Sequence, residues 1–113
     1  MSTTLRPQAG LAPATPLWRR VPARDEAGRP LADFMLLIPG LGRRPPGELE
    51  AALDAIGEVL TAHGDAVVFA DLNLRLNVLW VSLRPRPGLA LALAAALVAR
   101  VPGARLVAQR VPG

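Results

Sequence analysis

Apolar residues along the chain follow three different rhythms. Over ADFMLLIP (32–39) they are nearly continuous, with Phe34, Leu36 and Ile38 on one parity and Met35 and Leu37 on the other. A run this short, bounded by turn residues, predicts a strand covered on both faces. From Pro46 to His63 the spacing becomes helical. Leu49, Leu53, Ile56 and Leu60 recur at i, i+4, i+7 and i+11, while Glu50, Asp54 and Glu58 lie off that stripe. Pro46 suits a first turn, Glu48 and Glu50 complement the positive end of the dipole, and Gly64 stands where a left-handed stop is expected.

The third rhythm is alternation over 66–83 (AVVFADLNLRLNVLWVSL), with odd positions polar in the middle and apolar at both ends. Even positions from Val68 to Trp80 are apolar, and Asp71, Asn73, Arg75 and Asn77 are polar. Drawn out as one strand this stretch would reach roughly 60 Å, which a small domain does not accommodate. A hairpin turning within 71–77 is predicted, with Asn73 or Asn77 taking the left-handed conformation. After the loop RPRPG (84–88), LALALAAALVARV reads as a helix whose Leu89, Leu93 and Leu97 face the sheet. Pro102-Gly103 ends it, and ARLVAQRV alternates as a final strand.

The resulting order, strand–helix–strand–strand–helix–strand, is the βαββαβ or ferredoxin-like arrangement, an α+β fold. It predicts a four-stranded antiparallel sheet with two helices on one face. Upstream, residues 1–16 are rich in Pro, Ala and Thr without periodicity and predict a disordered tail. Residues 17–113 then form a single domain, with 17–30 as an arm and 31–113 as the core. LWRRVPA within that arm predicts an additional short strand over 17–22.

A chain of 113 residues with 51% hydrophobic content supports one modest core. The absence of cysteine excludes disulfides, thiolate metal sites and cysteine nucleophiles. All 13 basic residues are arginine, and the Ala/Arg/Pro/Gly/Leu-rich usage points to a GC-rich genome of bacterial type. Such a genome raises arginine content without functional demand, so the high pI is no argument for nucleic acid. The longest apolar run, 89–99, is too short to span a bilayer, and no signal pattern is visible at the N-terminus. The expectation is a cytoplasmic protein with no membrane partner.

Candidate chemistry concentrates in IPGLGRRPPGEL (38–49). Gly40-x-Gly42 after a strand begins like a dinucleotide fingerprint, but proline occupies position 45 where the third glycine belongs. No Gly-Lys-Ser/Thr follows, and Glu48 and Glu50 occupy the helix start where a phosphate would sit. Arg44-Pro45-Pro46-Gly47-Glu48-Leu49 resembles the Arg-Pro-Gly-x-Leu turn that opens the first helix of ACT domains. Val101-Pro102-Gly103-Ala104-Arg105-Leu106-Val107 is similar to their closing strand. The resemblance spans about residues 33–111 and departs from the pattern in an extra proline and in lacking an acid before Arg44. ACT domains are regulatory modules that bind amino acids or similar effectors between paired domains. The resemblance therefore implies an anionic or zwitterionic effector near Gly40, Gly42, Arg43 and Arg44.

Other groups point elsewhere. Asp71, Asn73, Arg75, Asn77 and Trp80 form a polar patch with one aromatic, a candidate interaction surface. His63 sits at a helix end where a dipole contact accounts for it. One histidine among scattered carboxylates predicts no metal site and no cofactor. Ser82, the only serine beyond the tail, falls within a strand. RNA-binding modules share this strand order but stack bases on paired aromatics, whereas the corresponding runs here carry only Phe34 and Trp80, so nucleic acid is not expected. Residues 31–65 hold two arginines and six acids, and 66–113 hold six arginines and one acid. This segregation suits self-association or an acidic partner as well as RNA.

Two readings follow. The first is a non-catalytic regulatory or interaction module that forms a homodimer through the sheet face its helices leave bare, unless the arm at 17–22 covers that face. The second is an enzyme or accessory protein that holds an anionic substrate at Arg43 and Arg44. No general acid or base can be nominated for the second, which favours the first.

Overall fold

The computed structural model describes residues 24–110 and, by backbone alone, residues 5–8. Its strands are β1 (Leu5–Gln8), β2 (Ala32–Leu37), β3 (Val67–Asn73), β4 (Val78–Leu83) and β5 (Arg105–Arg110). Two helices, α1 (Pro46–Ala62) and α2 (Leu89–Arg100), follow β2 and β4, and a 3-10 turn at Leu41–Arg43 leads into α1. The strands form one sheet in the order β1-β3-β4-β2-β5. Within it β3, β4, β2 and β5 are mutually antiparallel neighbours, the ferredoxin-like arrangement that the periodicities predict.

One face of the sheet and the inner sides of both helices make the core. Phe34, Leu36 and Ile38 join Ala70, Leu72, Leu79, Val81 and Leu83 there. From α1 come Ala52, Ala55, Ile56, Val59 and Leu60, and from α2 Ala90, Leu93, Ala94 and Leu97. The seam of α1 is thus rotated from the leucine stripe, and Leu49 and Leu53 are only partly buried at its margin. Alanines at 52, 55, 90 and 94 keep the buried sides of both helices slim. Each fully buried leucine contributes about 1.5–3 kcal/mol of burial, so this one-sided core accounts for the stability of the fold.

Two expectations change. Leu5–Gln8, within the stretch predicted to be a disordered tail, form an edge strand pairing parallel with β3. The remainder of 1–16 and the strand expected at 17–22 lie outside the described residues. An edge strand bonds on one side only, so it needs no buried apolar alternation and tolerates Pro7; this is why composition did not reveal it. Second, Gly64 does not take the left-handed conformation. The helix closes instead through short-range bonds from His63 N to Leu60 O and from Gly64 N to Thr61 O. The hairpin divides the even-numbered apolar row of 66–83 between the two faces. Ala70 and Leu72 point to the core before the turn, but Leu79, Val81 and Leu83 do so after it, which turns Trp80 outward.

Candidate functional site

The turn after β2 folds against the tip of the β3–β4 hairpin. Gly40 takes the left-handed conformation at φ 71°, reversing the chain before the 3-10 turn. Gly42 then lies so close to the hairpin that a Cβ on it would sit 2.3 Å from the Leu74 carbonyl oxygen. Its N–H donates to Asn77 Oδ1 at 2.8 Å, and Ile38 N–H donates to the Asn77 carbonyl at 2.8 Å. Asn77 itself has φ 58°, the left-handed residue the hairpin requires. Asn73 closes the other side of the tip, its Oδ1 accepting from Arg75 N and Leu76 N. Both asparagines are therefore parts of the turn, while Gly40 supplies its left-handed backbone and Gly42 the close packing of the two loops.

The two arginines of the motif separate. Arg44 Nη2 donates to the Pro102 carbonyl at 2.6 Å, tying the start of α1 to the loop after α2. It also lines a cleft of about 340 Å³ between the helices, with Glu48, Ala51, Ala52, Arg100 and Pro102. Arg100 is bonded to Glu58 at 2.7 Å on the same side. Arg43 is exposed and is not among the residues lining that cleft. The cleft thus gathers two guanidinium groups and one carboxylate, of which only Arg44 and Glu48 belong to the motif seen in sequence.

The remaining predicted residues divide between the hairpin tip and the helix-free face of the sheet. Arg75 is exposed at the tip. Asp71 and Trp80 are register partners on β3 and β4, on the parity opposite the core. Their row continues to Met35 and Ala108. The neighbouring rows are Phe69, Ser82, Asp33 and Arg110 on one side, and Asn73, Val78, Leu37 and Arg105 on the other. Met35, Leu37, Phe69, Val78 and Trp80 are half-buried on this face. Asp33, Asp71, Asn73 and Ser82 among them are buried. Arg110 bonds Asp33 at 2.5 Å, whereas the Trp80 indole N–H is buried without a hydrogen-bond partner among the described residues.

This placement bears on nucleophilic chemistry. Ser82 lies on the helix-free face, whereas His63 ends α1 on the other side, its Nδ1 3.0 Å from the Val59 carbonyl oxygen. The sheet separates them, so they form no catalytic pair.

Sequence reasoning missed Asp25. Its carboxylate accepts from the backbone of Ala27 and Arg29, from Arg29 Nε at 2.9 Å and from Arg84 Nη1 at 3.2 Å. The Arg29 backbone N–H does most to hold its carboxyl below the usual value, against the opposing effect of burial, with the Arg29 side chain adding to it. Asp25 and Gly28 stand three apart with the Gly28 N–H bonded to the Asp25 carbonyl at 3.0 Å, a turn signature that is readable in DEAG. The contact with Arg84 joins distant segments and leaves no local trace.

No helix among the described residues is long and apolar enough to cross a membrane. Comparison with known proteins finds no matching family model, no matching curated protein and no matching solved structure.

Proposed function

We propose that this protein is a non-catalytic interaction module that pairs with a second copy of itself through the helix-free face of its sheet. One observation carries the reading: both helices lie on one face, and Trp80, Met35, Leu37, Phe69 and Val78 stand half-buried together on the other. Contiguous apolar area of this kind marks contact surfaces, and a two-fold pair is the commonest way to cover it. Sedimentation of the full chain across micromolar concentrations tests this. A concentration-dependent dimer that Met35→Glu converts to a folded monomer is expected. A monomer throughout would sink the reading and leave the face to the arm at 17–22, which lies outside the described residues.

The cleft between the helices supports a second element, regulation by a small zwitterion of amino-acid type, as the ACT-like motif implies. Arg44 and Arg100 offer donors beyond those they already use, and Glu48 offers an acceptor for an ammonium group. A thermal-shift screen of single amino acids is the test. Any stabilising ligand is expected to lose its effect in Arg100→Ala and Glu48→Gln and to keep it in Arg43→Ala. Dependence on Arg43 alone would return the site to the turn.

A further inference from the structure

We propose that the open edge of β5 is a strand-addition site for an extended, acidic peptide segment of a partner protein. Among the described residues β5 ends the sheet order, pairing with β2 on one side only, and at the opposite end β1 pairs with β3. Five of its six residues are exposed. Such an edge presents backbone N–H and C=O groups in a row, the template that strand addition uses.

The side chains choose the partner. β5 carries Arg105 and Arg110 and no acid. Arg110 is engaged with Asp33, and Arg105 has no ionic partner among the described residues. Val107 falls at the register shift opposite Met35 and Leu36, where β2 offers it no Cα partner, and is 48% exposed. It supplies an apolar contact in the middle of the strand. A second copy is a poor occupant, because antiparallel pairing of β5 with itself in the register that opposes 105 and 110 sets arginine against arginine. Like charges directly opposite destabilise a strand pair, and opposite charges stabilise it. Aspartate or glutamate beside Arg105, with an apolar residue near Val107, satisfies both features. Arg105 and Arg110 end rows of the face proposed for pairing, but the backbone groups of the edge lie in the plane of the sheet, so pairing through the face and strand addition at the edge can be told apart.

The test is titration of the ¹⁵N-labelled full chain with acetyl-(Val-Glu)₃-amide and acetyl-(Val-Lys)₃-amide. Amide shifts concentrated at 105–110 are expected, with the acidic peptide tighter by about fivefold for each charge pair formed. Arg105→Glu, at an exposed position, is expected to reverse the preference. N-methylation of alternate peptide residues is expected to abolish binding, which separates strand addition from simple charge attraction. No shifts at millimolar peptide, shifts centred elsewhere, or a preference indifferent to Arg105→Glu would overturn the proposal. So would concentration-dependent shifts at 105–110 without peptide, which would assign the edge to a second copy.

Discussion

Asn77 accepts the Gly42 amide through its side chain while its own backbone sits at φ 58°, so two separate costs fall on its replacement. Asn77→Ala loses the hydrogen bond and strains the left-handed position, and a destabilisation of about 1–3 kcal/mol is expected. Asn77→Gly relieves the backbone and loses only the bond, so it should melt between the two. Gly42→Ala forces a methyl against the Leu74 carbonyl, a backbone group that cannot swing aside. A loss of about 1–3 kcal/mol is expected from that overpacking, read as a lower midpoint in thermal or urea denaturation. Asp25 adds a pH dependence. Its folded carboxyl titrates below the ordinary value of 3.8, so the unfolded chain takes up that proton at higher pH than the folded chain. The contribution is complete above that value and disappears as pH falls through the folded one. Asp25→Asn should flatten the acid limb of the stability curve; an unchanged limb would show that the carboxylate is not linked to folding.

Among the elements, α1, the hairpin and α2 were legible because each carries its own period. Helical spacing from Leu49 to Leu60 needs no partner to be recognised, and too long an alternation at 66–83 forces a turn. What escaped is set by pairing across the chain. Trp80 shares the even parity of Leu72, yet the turn at 74–77 reverses which parity faces the core, so its outward position follows only from the register Asp71 to Trp80. Likewise the bond from Arg44 to the Pro102 carbonyl joins segments far apart in the chain and leaves no trace in the local sequence. The first strand is the clearest case, because an edge of four residues has no periodic signature. Its removal supplies the test at this scale. A chain lacking residues 1–8 leaves the edge of β3 unpaired, and lower thermal stability with increased light scattering is expected. Melting and scattering unchanged from the full chain would mean that β1 adds nothing to the sheet.

For the whole molecule, the two faces of the sheet differ in kind. One is dry and closed by two helices, and the other mixes half-buried apolar side chains with buried aspartate, asparagine and serine. The expected sedimentation result therefore concerns a specific pair and not general stickiness, since buried polar groups restrict which surface can dock there. Arginine spread along β5 works in the same direction at the edge. The parallel pairing of Leu5 with Ala70 has a further consequence, for how the chain is made. A strand that leaves the ribosome well ahead of β3 must wait until β3 has been synthesised before it can bond. Closing so long a loop is slow. The antiparallel hairpin of β3 and β4 is local by comparison, and β2 awaits β5 in its turn. The sheet is therefore completed from its middle outward, and its outermost strands join late, during the interval in which an unfinished chain is most exposed to its neighbours.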